Sequence, residues 1–292
     1  MPVTGGPGAG APATDVIVLP GATSAQGIAK GAGHTFYCGD LWLGNIFRGD
    51  LERGTAELFI DAPEGRLAMG LWADLRHGWL FVGGGLGWAY VYDIETGATV
   101  ATYQLGELDD LASTLVNKVF VNRRGAYFSN SSKPVLYFVP ISPAGELGPA
   151  ATLPVTGPAA EISGEFNLNG IVAPDAGEPL IISHTANGKL YTVDPATGVS
   201  RTIEGVDVPK ADGLVLEGRR LWVVQNWINQ VSRVRLNDDL TSGTVEEVIT
   251  HDAFQFPTTA VPFGSRLAVI NAKADTGIHP TADEYEVVVV DR

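Results

Sequence analysis

One junction recurs six times along this chain and narrows the folds open to it. A polar loop delivers one residue, a second small or polar residue follows, and a short apolar strand begins. The junctions are Gln26-Gly27-Ile28-Ala29, Met69-Gly70-Leu71-Trp72, Asn117-Lys118-Val119-Phe120, Asn169-Gly170-Ile171-Val172, Asp212-Gly213-Leu214-Val215 and Thr258-Thr259-Ala260-Val261. They are spaced by 43, 48, 52, 43 and 46 residues. A repeat of roughly 40–50 residues holding several strands is the signature of a β-propeller blade.

The segments between junctions read as short strands separated by Gly, Pro, Asn and Asp turns. The second unit has strands near 71–73, 80–82, 89–92 and 99–104, and the fourth repeats the plan. Their turns match as well, Asp93-Ile94-Glu95-Thr96-Gly97 against Asp194-Pro195-Ala196-Thr197-Gly198. The sixth unit has only three strands, near 260–262, 267–270 and 286–290. An orphan strand within 15–20 precedes the first junction and supplies the fourth. Joining it to the last blade closes the ring and removes the exposed edges of an open sheet. The reading is therefore all-β: a single six-bladed β-propeller over 15–292 with four-stranded blades. Residues 1–14 are rich in Gly, Ala and Pro and lack a basic start and an apolar core, so they read as a flexible tail rather than a signal peptide.

Composition narrows the partners. The chain carries 19 basic and 33 acidic residues, a net charge of −14. That balance argues against nucleic acid and anionic membranes and otherwise reads as solubility. No run approaches the roughly 18 apolar residues of a membrane helix. Cys38 is the single cysteine, so the fold needs no intrachain disulfide, and a cytoplasmic location is expected. Its apolar strand marks it as buried and inert.

In a four-stranded blade, the loop entering the first strand and the loop between strands two and three share one face. Those loops gather Trp42, Trp88, Asn130, His184, Asn226, Trp227, Lys273 and His279 around the junction residues. Polar groups and aromatics at one mouth suit a small-molecule pocket. Gln26, Asn117, Asn169 and Asp212 bring amide and carboxylate oxygens towards one axis, the donor type of a hard cation such as calcium. His184 has the chemistry of a general acid or base, and equally that of a loop hydrogen-bonder.

At this point the chain resembles the senescence-marker-protein/gluconolactonase-like family and its strictosidine-synthase-like relatives. The resemblance covers roughly 15–292 and is carried by Gln26-Gly27, Val116-Asn117-Lys118, Leu168-Asn169-Gly170 and Ala211-Asp212-Gly213-Leu214. It implies a lactonase-like hydrolase, with Asn169 and Asp212 as calcium ligands and Asn117 on the substrate side. Two departures stand out. Gln26 occupies the place of the family's ligand Glu, and Lys118 the place where Asp commonly follows Asn. Both disfavour a bound divalent ion.

The expected function is that of a small-molecule enzyme that hydrolyses or forms a cyclic ester or related carbonyl compound in the central channel. Asp212, His184 and Lys118 are the candidate catalytic residues. Asn117, Gln26, Trp42, Trp88, Asn226 and Trp227 are the candidate substrate contacts. The alternatives are a metal-independent cyclase or isomerase of a biosynthetic pathway, and a propeller that binds a ligand without catalysis.

Overall fold

The structure, a computed structural model, describes residues 15–108, 110, 112–174, 179–277 and 279–292. The tail expected at 1–14 lies outside the described residues. Six four-stranded antiparallel sheets follow one another along the chain. Their first strands are Ala25–Lys30, Leu71–Asp74, Val116–Val121, Leu168–Val172, Ala211–Glu217 and Pro257–Phe263. Each first strand touches the next around a central axis, and the sixth touches the first. This is the six-bladed β-propeller that the repeat predicted.

The outermost strand of each blade is its least buried, as the residue types require. All six residues of the innermost strand Val116–Val121 are buried, and its VNKVFV sequence has no polar alternation apart from the junction pair. The outermost strand Thr99–Gln104 has no buried residue, and its TVATYQ sequence is half polar. A strand covered on both faces reads as an apolar run; a half-covered one mixes types. The core lies between blades. Phe81 and Val91 of the second blade, for example, pack with Val119 and Phe128 of the third.

Closure comes from Val16–Val18, which pairs antiparallel with Glu286–Asp291, Val16 opposite Val288. Ile17 is buried among Ile28, Phe36, Ile270 and Val287, and its burial contributes about 2 kcal/mol. The Asp-containing turns also form as read. Asp93 Oδ1 accepts the Glu95 and Thr96 N–H groups at 3.0 and 2.7 Å, and Asp194 Oδ1 accepts those of Ala196 and Thr197 at 2.8 and 3.0 Å. These side chains mimic a backbone turn and so fix the hairpin. Among the described residues helix is limited to single 3₁₀ turns at Pro158–Ala160, Asn226–Ile228 and Ala274–Thr276, and no helix is long and apolar enough to cross a membrane. Cys38 is fully buried, and burial pushes its thiol well above the usual range.

Candidate functional site

The six junctions build the site through a shared backbone irregularity. In five blades the pairing of first and second strands slips at the junction, between Ala25/Ile28, Val116/Val119, Leu168/Ile171, Ala211/Leu214 and Pro257/Thr259. Such a bulge re-aims a side chain and leaves backbone groups unpaired. Second-strand hydroxyls satisfy them: Lys118 N–H donates to Ser129 Oγ at 3.1 Å, and Gly170 N–H to Ser183 Oγ at 2.8 Å.

The residue after each junction residue forms a ring around the axis: Gly27, Gly70, Lys118, Gly170, Gly213 and Thr259. The glycines are there because neighbouring first strands nearly touch. A Cβ on Gly27 would lie 2.0 Å from the Met69 carbonyl oxygen, and one on Gly170 would lie 2.2 Å from that of Asp212. Only blades 3 and 6 carry a side chain at this level. Those two blades face each other across the ring, and Lys118 Nζ donates to Thr259 Oγ1 at 2.7 Å.

Lys118 also meets Asp212. Nζ stands 3.0 Å from Asp212 Oδ1, with both side chains about 95% buried, although the approach lies off the line of a good hydrogen bond. Asp212 Oδ2 accepts from Asn226 Nδ2 at 3.0 Å. Burial pushes the Asp212 carboxyl up, and it stays raised although Lys118 and Asn226 pull it down.

The two junction asparagines are held by a common device. Asn117 Nδ2 donates to Ser131 Oγ at 3.0 Å, and that hydroxyl donates to the Leu168 carbonyl at 2.7 Å. Asn169 Nδ2 donates to Thr185 Oγ1 at 2.9 Å, and that hydroxyl donates to the Ala211 carbonyl at 2.6 Å. Each hydroxyl spends its proton on the next blade, so it can only accept from the amide. The amide flip is thereby set, and Asn117 Oδ1 and Asn169 Oδ1 are left buried without a partner. A buried acceptor with no donor costs roughly 1–3 kcal/mol, which a ligand that donates to it recovers.

The sequence reading did not single out these orienting hydroxyls. Their signal is present: Ser129-Asn130-Ser131 and Ser183-His184-Thr185 end the second strands of consecutive blades.

The residue at the end of the second strand has its own role. Asp40, Asn130, His184, Gln225 and Asn271 each pair in register with the residue just before a junction residue. Each also reaches back to the loop that enters its blade. Asp40 Oδ2 accepts from Thr23 N–H, Asn130 Oδ1 from Leu115 N–H and Asn271 Oδ1 from Gln255 N–H. His184 Nε2 lies 2.8 Å from the Glu161 carbonyl, and Gln225 Nε2 donates to that of Pro209. His184 is therefore one of five loop latches. Burial holds its imidazole below the usual range, opposed by the bond to Glu161.

Of the remaining predicted contacts, Asn226 joins the cluster through Asp212. Gln26 contributes its backbone carbonyl to Thr258 Oγ1. Trp42 packs on His279 with ring centroids 4.2 Å apart. Trp88 packs against the core between the first and second blades. Trp227 is 57% exposed and meets Phe256 edge-on.

A cavity of about 310 Å³ lies on the other side of the Lys118–Thr259 level from the predicted mouth. It runs along the C-terminal halves of the first strands, past Ile28, Leu71, Phe120, Ile171 and Leu214, towards Gly31, Leu75 and Pro262. Lys118 and Thr259 form its inner end.

The donor set does not fit the calcium ion that the resemblance implies. Its single carboxylate is already paired with a buried ammonium, and calcium affinity follows ligand charge. A divalent ion beside Lys118 would meet a like charge rather than a carboxylate.

Comparison with known proteins bears on the fold. No family model matches the chain, and no curated protein matches it in sequence. Many solved structures match in shape. The Malassezia sympodialis allergen Mala s 1 superposes with a TM-score of 0.67 at 15% identity, over 95% of this chain and 96% of that one. A Lactobacillus plantarum protein gives 0.61 at 17%, over 85% and 77%. A chain of a nidogen/laminin complex gives 0.61 at 17%, over 88% and 89%. At such identities the likeness shows the propeller fold alone, and that fold carries many unrelated functions.

Proposed function

We propose that this protein is a metal-independent enzyme that opens or closes a cyclic ester, or a related carbonyl compound, in its central channel. The observation that carries the reading is the buried Lys118–Asp212 pair flanked by the unpartnered Oδ1 atoms of Asn117 and Asn169. Perturbed, buried, converging polar groups of this kind are the mark of a reacting site.

In the hydrolytic direction a water oxygen attacks the ester carbonyl carbon. Lys118 donates a hydrogen bond to the carbonyl oxygen as negative charge develops there. Asp212 takes the proton of the attacking water. The ring C–O bond then breaks, and Asp212 returns the proton to the departing alkoxide, leaving a hydroxy acid. A carboxyl raised by burial is closer to the working pH and better suited to both transfers. Asn117 and Asn169 offer acceptors to substrate hydroxyls and fix the approach. Ring closure is the same sequence in reverse. His184, held as a loop latch, has no step in this scheme.

The test is a panel of lactones of different ring size, assayed with and without calcium. Turnover is expected on at least one, unaffected by calcium or a chelator. Asp212→Asn is expected to lower kcat by roughly 10²–10⁴-fold, the usual worth of one acid–base group, and Lys118→Met by roughly 10²–10³-fold, the usual worth of one oxyanion donor. A folded protein that turns over no lactone or related carbonyl compound sinks the enzymatic reading and leaves ligand binding. Turnover that requires calcium sinks the metal-independent one.

A further inference from the structure

The 310 Å³ cavity lies apart from the junction residues Asn117 and Asn169. Its volume sits at the lower end of small-molecule pockets, and its wall is formed by Ile28, Leu71, Trp72, Phe120, Ile171 and Leu214. Among the described residues that line it none is a carboxylate, and the charged side chains are Lys118 at the inner end and Lys30 at the outer end. That is a selective lining in a chain of net charge −14. From the Lys118 level to Gly31 is four residues of strand, a depth of about 13 Å. Leu75, at the outer end, is 48% exposed, so the apolar wall continues to the rim.

The inner end is specific. Lys118 Nζ has three donors. One is directed to Thr259 Oγ1 and the ammonium is paired with Asp212, so an acceptor arriving through the chamber finds a charged donor whose countercharge is already in place. A neutral carbonyl oxygen needs no further compensation there, whereas a carboxylate would be buried beside Asp212.

We propose that this half of the channel binds a slender, neutral, apolar molecule with one carbonyl acceptor at its leading end, entering from the face opposite the junction loops. Its apolar body covers the Trp72, Phe120 and Leu214 walls, and its carbonyl accepts from Lys118. The proposal rests on the cavity and not on the reaction above, so binding without turnover would separate the two.

The probe is 6-propionyl-2-(dimethylamino)naphthalene, a flat neutral ketone whose emission moves to the blue in apolar surroundings. Titrated into the full chain, it is expected to show one saturable site with a blue shift. It should also accept energy from Trp72. In Trp72→Phe that transfer should fall by more than half while the directly excited blue shift remains. Leu214→Trp and Ala73→Trp, on different blades, fill the chamber and should each weaken binding at least tenfold in a variant that still melts cooperatively. Lys118→Met should weaken the ketone severalfold, yet leave unchanged the ability of 2-ethylnaphthalene to displace it. An unshifted emission, transfer that does not depend on Trp72, or full affinity in a folded, filled variant overturns the proposal.

Discussion

Lys118 and Thr259 lie 141 residues apart in sequence, yet they meet at 2.7 Å across the axis of the ring. They are the two side chains at a level where the other four blades have glycine. One of them carries a charge, and Asp212 of a third blade neutralises it. Three blades are thus tied together at the level where the channel is bridged.

The Lys118–Asp212 pair is buried, and its removal should be strongly non-additive. Lys118→Met leaves a buried carboxylate beside Asn226 and should cost about 3–5 kcal/mol, less where Asp212 takes up a proton. The double variant Lys118→Met/Asp212→Asn removes both charges and should recover most of that loss. Denaturant melts of the two single variants and the double variant measure the coupling. Additive losses would mean that the pair contributes nothing as a pair.

Calcium binding should be absent in the parent and obtainable by installing the carboxylates that stand at these places in the family the sequence resembles. Gln26→Glu/Lys118→Asp adds two carboxylates and removes the ammonium from a ring that already holds Asn169 and Asp212. A calcium-dependent rise in melting temperature is expected in the double variant only. Calcium at 100 times its dissociation constant stabilises by about 2.7 kcal/mol. A large calcium shift in the parent would show that Gln26 ligates through its amide oxygen and that the channel holds a metal after all.

The latch role of His184 predicts an acid-side loss of stability. Burial first, against the bond to Glu161, holds its folded imidazole below the ordinary 6.5. Below 6.5 the unfolded chain therefore binds more protons than the folded one, and stability falls as pH drops from 6.5 through the depressed folded value. His184→Gln, which can still donate to the Glu161 carbonyl, should flatten the fall in melting temperature between about pH 7 and 5. An identical pH dependence in parent and variant would remove His184 as its source.

Ring closure rests on a three-residue strand. Ile17→Ala empties a fully buried position and should cost about 2–5 kcal/mol, while leaving the Lys118–Asp212 pair in place. Thermal melts should show a single lowered transition. A change below about 0.5 kcal/mol would mean that the last blade holds without its fourth strand.

The fold was legible along the chain. The junction spacing set six blades, the apolar runs set the innermost strands, and the Asp93 and Asp194 turns set hairpins through contacts two and three residues away. The three-stranded last unit even called for the strand at Val16–Val18. These signals are local, or repeat at one period, so one chain read in order displays them. The junction residues were legible too, because Asn117, Asn169 and Asp212 break an otherwise apolar pattern.

What those residues do to one another followed from the closing of six blades into a ring. Lys118 read as a departure beside Asn117; closing the ring brought it to Thr259 and Asp212 on other blades. His184 read as a candidate acid or base; the register at the end of the second strand placed it with Asp40, Asn130, Gln225 and Asn271 as a latch. The hydroxyls of Ser131 and Thr185 carried no weight in sequence, because their meaning lies in the carbonyls of Leu168 and Ala211 that they reach. The predicted mouth gathered Trp42, Trp88 and Trp227, while the apolar chamber opened on the far side of Lys118. The reason is the same each time: strand patterning is encoded within a blade, whereas contacts across the axis depend on how six blades close, which no stretch of one blade specifies.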